Sequence, residues 1–170
     1  MNLKDMIRTI PDFPKEGILF RDITTLLKDK DGLKCLIDTF AEELKDKGIG
    51  LVVGPEARGF VLGSALAYVM GTGFVMARKP GKLPGETMRY EYALEYGTDV
   101  LEISADAIQP GTKVVIVDDL LATGGTALAT AKLVEQAGGE VVAIRFAMEL
   151  EDLGGRKTLA GYDVDAVIKY

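Results

Sequence analysis

Apolar and polar positions along the chain fall into short apolar runs separated by stretches of helical period. Val114–Val117 is a run of apolar residues rich in valine, the pattern of a strand buried on both faces. Asp118 and Asp119 follow where that strand is predicted to end. The small-residue loop Ala122-Thr123-Gly124-Gly125-Thr126 then leads into a helix marked by Leu128, Ala131, Val134 and Ala137, which stops at Gly138-Gly139. An earlier strand–turn–helix unit runs from the strand 49–54 through the turn 55–60. Its helix continues to Met70, is apolar all round and is therefore expected to be buried. Upstream, Leu33, Leu36, Ile37, Phe40 and Leu44 predict a helix over 31–47, with Asp31 as N-cap and Gly48 as stop.

The remaining segments fill in the alternation. Leu3, Met6, Ile7 and Ile10 predict a short amphipathic helix over residues 1–10, ended by Pro11 and Pro14. Residues 11–24 predict mostly irregular chain, with Phe13, Leu19 and Phe20 as anchors into the core. Gly73–Ala77, Glu140–Met148 and Asp165–Lys169 predict strands, and Glu151–Thr158 a short helix. Repeated β-α order implies one α/β domain with a mostly parallel sheet flanked by helices. Residues 80–100 interrupt it. Prolines and glycines make 81–85 a mobile loop, and Tyr90, Tyr92, Leu94 and Tyr96 alternate with polar residues as in a half-exposed strand, whose hairpin partner is 100–103. Long insertions into compact domains are usually functional, so this one predicts an active-site lid.

The loop after Asp119 carries the chemistry. Its small residues let backbone N–H groups approach a ligand, and its place at a helix N-terminus favours an anion. It is a phosphate cradle without the lysine of a Walker loop and without the GxGxxG spacing of a dinucleotide site. Strand alternation sends Asp118 and Asp119 to opposite sides, so they are not expected to share a proton as a dyad. Each is free to accept from a separate hydroxyl or to help bind a hydrated metal ion. Ribose hydroxyls beside a 5′-phosphate suit both features. Arg58 begins a helix, where the dipole gives a cation no benefit, which suggests a ligand there.

Composition narrows the chemistry. The 170 residues suit one domain. No apolar run approaches the ~20 residues of a membrane span, and the early charges leave no apolar signal core, so a cytoplasmic protein without membrane contact is expected. Cys35 is the single cysteine, so no internal disulfide forms. The chain has no histidine, which excludes Ser-His-Asp and Cys-His catalysis and His-ligated zinc. Any metal is then a hard ion on oxygen, with magnesium first. A net charge of −6 argues against a nucleic-acid partner.

The string Val-Val-Ile-Val-Asp-Asp-Leu-Leu-Ala-Thr-Gly-Gly-Thr over 114–126 resembles the 5-phosphoribosyl-1-pyrophosphate (PRPP) motif of type I phosphoribosyltransferases, particularly the adenine phosphoribosyltransferase family. Phe13-Pro14 through Gly17–Ile23 and Leu94-Glu95-Tyr96-Gly97 resemble the same family. The resemblance implies an N-terminal hood over about residues 1–30, a lid over about 79–103, and a homodimer that uses PRPP with magnesium. It implies that adenine and PRPP become AMP and pyrophosphate. Ala122, Thr123, Gly124, Gly125 and Thr126 would hold the 5′-phosphate, and Asp118 and Asp119 the ribose. Arg58, Lys79 and Lys82 would take the pyrophosphate, with Arg78 adding positive charge. Phe20 would lie on the adenine ring opposite Leu120, with backbone groups around Leu19 and Arg21 reading the base edge. Glu95 would move a proton on the purine, and magnesium would bind through PRPP and water rather than directly to protein. The competing readings are a xanthine, 6-oxopurine or orotate enzyme, and a non-catalytic PRPP sensor.

Overall fold

A computed structural model describes residues 1–94 and 97–170. After a 3₁₀ turn at Leu3–Met6 come β1 (Arg8–Pro11), β2 (Leu19–Asp22), α1 (Thr24–Leu27), α2 (Lys30–Leu44), β3 (Leu51–Pro55), α3 (Arg58–Met70) and β4 (Gly73–Ala77). The chain continues through β5 (Thr87–Leu94), β6 (Gly97–Ser104), β7 (Lys113–Leu121), α4 (Gly125–Gln136) and β8 (Glu140–Glu149). A 3₁₀ turn at Glu151–Leu153, α5 (Gly155–Thr158) and β9 (Val164–Lys169) complete it.

The central sheet has the order β4-β3-β7-β8-β9, and each of its pairings is parallel. Val114–Val117 lie at its middle with no accessible surface, as the apolar run requires. Val115 and Val117 join Leu36, Phe40, Leu62 and Leu66 in the core under α2 and α3. Val114 and Ile116 point the other way, to Ala131 and Val134 of α4 and to Leu101 and Ile103 of β6. Burying this much aliphatic surface on both faces, at roughly 25 cal/mol per Å², is the main force holding the layers together. Among the described residues no helix is long and apolar enough to cross a membrane.

Several sequence expectations change. The N-terminal helix over 1–10 is a single 3₁₀ turn followed by β1, and the irregular stretch contains β2, which pairs antiparallel with it. Pairing with a neighbouring ribbon overrides a helical pattern too short to stand alone. Asp29, not Asp31, caps α2, its carboxylate accepting from the Asp31 and Gly32 amides. The segment 151–158 splits at Gly154, which takes a left-handed φ of 70°. Helix α3 is not buried all round. Leu62, Leu66 and Ala67 face the core, while Val61, Tyr68 and Val69 face outward.

The insertion forms the hairpin β5–β6, with Thr87 opposite Ser104. Its base is built into the core rather than resting on it, because Leu101 and Ile103 are buried. Buried Glu102 accepts from the Gly81 amide at 3.1 Å and the Thr87 hydroxyl at 2.9 Å, so the start of the 81–85 loop is pinned.

Candidate active site

Strand β7 runs through both carboxylates to Leu121 instead of ending before them. Val117 and Leu120, three residues apart, both pack on the α2–α3 core, so the side-chain alternation slips at Asp118–Asp119. The period of two therefore does not isolate the pair as expected. The Asp119 amide donates to Asp118 Oδ1 at 2.8 Å. Burial, then the charge of Asp119, raises the Asp118 carboxyl well above its ordinary value. Asp119 is itself buried and accepts from Arg58 Nε at 2.5 Å. That bond raises the Arg58 pKa further, and Asp118 and Asp22 add favourable charge. The cation at the start of α3 thus has a protein partner, which the helix dipole alone did not foretell.

The loop closes the far side of these carboxylates. Gly124 has φ +90° and caps α4, whose Leu128 amide bonds back to the Gly124 carbonyl at 2.9 Å. Leu120, Ala122, Thr123, Gly124, Gly125 and Thr126, with Asp118 below, enclose a cavity of about 100 Å³ over Phe146. A Cβ at Gly124 would point backwards, to 3.0 Å from the Gly155 carbonyl oxygen, not into this cavity. The loop amides at the start of α4 make it suited to a phosphate.

A second cavity, about 390 Å³, opens on the other side of Arg58 and is lined by Phe13, Phe20, Arg21, Asp22 and Thr24. Phe13 meets Phe20 edge-on at 5.0 Å between ring centres, which fixes the Phe20 ring at the cavity wall. Phe20 and Leu120 line different cavities. Leu19 is exposed. The Arg21 guanidinium turns from this cavity to Thr9 Oγ1, at 2.8 Å, and stacks 4.0 Å over the Tyr170 ring, leaving its backbone at the wall. Asp22 is buried, and Thr24 first, then Arg8, hold its carboxyl down to about 2.

Lys79 sits where the hairpin meets the loop. Its Nζ bonds Asp99, and the Tyr92 hydroxyl donates to the same carboxylate oxygen at 3.3 Å. Burial pulls the Lys79 pKa down, but Asp99 outweighs it and the net shift is upward. The Tyr92 ring would lie 3.7 Å from a Cβ on Gly125, so it stands at the mouth of the loop. Glu56 accepts from the Lys79 amide at 2.8 Å and from Arg78 Nε at 3.2 Å, fixing the turn before Arg58. Lys82 is exposed and makes no salt bridge among the described residues. Glu95 lies outside the described residues.

The arc Phe20–Arg58–Asp119–loop–Tyr92–Lys79 is therefore continuous. Sequence reading missed Asp22, Glu56, Tyr92 and Asp99. Tyr92 stood on a predicted half-exposed strand, and that was its only signal. The others stood out only once β-pairing brought them beside Arg8, Arg78 and Lys79.

Comparison with known proteins gives the family. The family model of the phosphoribosyl transferase domain matches residues 23–166. The adenine phosphoribosyltransferase of Alkaliphilus metalliredigens is 61% identical over 170 residues, covering 100% of both chains. The crystal structure of adenine phosphoribosyltransferase from Thermoanaerobacter pseudethanolicus superposes with a TM-score of 0.95 at 58% identity, covering 99% of this chain and 98% of that one. The Saccharomyces cerevisiae enzyme, crystallised with an imino-altritol bisphosphate and adenine, gives 0.91 at 42% identity, covering 96% of this chain and 95% of that one. With its parallel sheet, its carboxylate-and-loop site and full-length identity of this degree, the chain belongs to the adenine phosphoribosyltransferase family of type I phosphoribosyltransferases.

Proposed function

We propose that this protein transfers the 5-phosphoribosyl group of PRPP to adenine, forming AMP and pyrophosphate in purine salvage. The observation that carries the reading is the Arg58–Asp119 bond, which joins the phosphate loop to the aromatic cavity of Phe20. A purine nitrogen attacks the anomeric carbon as its bond to pyrophosphate breaks. The electron pair leaves with the pyrophosphate oxygen, and the purine proton passes to Glu95.

In this reading the amides of Ala122–Thr126, with the Thr123 and Thr126 hydroxyls, hold the 5′-phosphate. Asp118 and Asp119 bind the ribose hydroxyls and favour the positive charge that builds on the sugar. Arg58, Lys79 and Lys82 take the pyrophosphate. Phe20 stacks on the base while backbone groups of Leu19 and Arg21 read its edge; Leu120, expected opposite Phe20, stays in the wall of the phosphate-loop cavity. Residues 1–30 act as the hood, and the β5–β6 hairpin closes as a lid that keeps water from the activated sugar.

Asp118 and Asp119 would face a hard cation carried in by PRPP through water rather than as direct ligands. Bound with PRPP, magnesium would add charge neutralisation at the pyrophosphate leaving group to that of Arg58, Lys79 and Lys82. Exposed Val61, Tyr68 and Val69 on α3, with Met76 on β4, support pairing of two copies. The lone Cys35 suits a reducing cytoplasm.

The test mixes protein, PRPP and magnesium with each free base and quantifies nucleotide by chromatography. AMP from adenine alone supports the reading. Product from another base retains the phosphate site and overturns the base assignment. PRPP binding without product from any base overturns catalysis and favours a sensor.

A further inference from the structure

Helix α5 lies behind the phosphate loop and has no part in the chemistry above. A Cβ on Gly155 would stand 2.5 Å from Leu121 Cδ1 and 2.6 Å from the Ala122 carbonyl oxygen. From the other side, a Cβ on Gly124 would meet the Gly155 carbonyl oxygen and Thr158 Cβ, each at 3.0 Å. Loop and helix are therefore in close contact, with only the Leu121 and Thr158 side chains and backbone carbonyls at the two glycines. A loop of small residues has little side-chain packing with which to hold its own shape.

The four residues of α5 are too few to be stable alone. Arg156 anchors them. Its Nε donates to both carboxylate oxygens of Glu149, at 3.0 and 2.9 Å. Nη1 donates to the Val164 carbonyl and Nη2 to Asp165 Oδ1, each at 3.0 Å. Glu149 is buried at the last position of β8, in register with Leu121 of β7. The Leu150 amide adds a bond to the Leu121 carbonyl at 2.9 Å. One guanidinium thus fastens α5 to the last residue of β8 and the first two of β9, while the Gly155 backbone stands against Ala122 and Gly124.

We propose that Arg156 is a positioning residue for the phosphoribosyl donor. Through Glu149 and Asp165 it holds α5 as a backing plate that keeps the loop in the shape receiving the 5′-phosphate. The inference rests on reading that loop as the 5′-phosphate cradle.

The experiment measures ribose 5-phosphate affinity by calorimetry, the KM values for PRPP and adenine, and melting temperature. It compares wild type with Arg156→Leu, Arg156→Lys, Asp165→Asn and Arg145→Leu. Arg145 is a buried arginine of the same strand β8 that pairs with Glu43 and Asp163, away from the loop. Arg156→Leu should weaken ribose 5-phosphate and raise the PRPP KM by about tenfold or more, since small displacements of a binding loop are costly. The adenine KM should stay near wild type, and Arg156→Lys should recover part of the loss. Arg145→Leu should lower the melting temperature and leave both phosphate readouts in place. A folded Arg156→Leu protein with wild-type ribose 5-phosphate affinity overturns the proposal. Should that variant not fold, Asp165→Asn decides: a weakening of about threefold, as for loss of an exposed ion pair, supports it, and none overturns it. Wild-type protein that fails to bind ribose 5-phosphate overturns the cradle itself as well as Arg156's role.

Discussion

Arg58 at the start of α3 and Asp119 in β7 are 61 residues apart in the chain and share a 2.5 Å hydrogen bond. The carboxylate is buried and the guanidinium half exposed, so the cation keeps one side free for a ligand while the anion is held in place. Asp119→Asn should lower kcat/KM for PRPP by about 100-fold with the fold intact, as expected for loss of charge beside a developing cation. Arg58→Met should also cost about 1 kcal/mol of stability, because it leaves the buried carboxylate without its partner near solvent. Steady-state kinetics and thermal melts check both; unchanged kinetics for Asp119→Asn would remove it from the site.

Asp118 provides a pH test. Its carboxyl is raised well above the ordinary 3.8 by burial and by Asp119. Above pH 3.8 and up to that raised value, the folded chain binds more protons than the unfolded chain. Stability should therefore fall as pH rises through this window. Asp118→Asn should flatten that slope in denaturant titrations run across pH. A slope that persists in the variant assigns it to another group.

Asp22 should behave in the opposite sense. Its carboxyl is held down to about 2, first by Thr24 and then by Arg8. Its contribution is complete above 3.8 and is lost as pH falls towards 2. Thr24→Val should therefore move the acid-unfolding midpoint upward by more than Arg8→Met does. The reverse order in acid titrations monitored by circular dichroism would mean that the Arg8 pair dominates.

Gly124→Ala should be harmful for two separate reasons. The left-handed φ costs a Cβ-bearing residue about 1–2 kcal/mol, and the new methyl group presses on Gly155 and Thr158. Gly17, with φ +86° and open space around it, is the control for the first effect alone. Both alanine variants should lose comparable backbone stability, but only Gly124→Ala should weaken PRPP. Equal PRPP affinities for the two would separate the loop from the donor site.

Glu95→Gln should slow the chemical step while sparing substrate affinity, since the amide no longer accepts the purine proton. A single-turnover rate near that of wild type would refute the proton-transfer role.

Much of the architecture follows from local pattern. Four contiguous apolar residues before Asp118, rich in valine, read as a strand covered on both sides, and β-α alternation then points to parallel pairing. Ala122–Thr126 was legible because its peculiarity is backbone chemistry: small residues and a helix start, both written locally. Other features required the assembled chain. Pairing of Ile10 with Phe20 turned a weak helical period into a ribbon beside Arg58. The slip in alternation between Val117 and Leu120 brought two carboxyls under one another's influence, where a period of two had separated them. Arg58 meets Asp119, Lys79 meets Asp99, and Arg156 meets Glu149 only because three-dimensional packing cancels sequence distance. By itself the sequence determined which groups are present and which backbone is buried. The tertiary structure decided which charges are partnered, because that depends on where desolvation and opposite charge coincide in space.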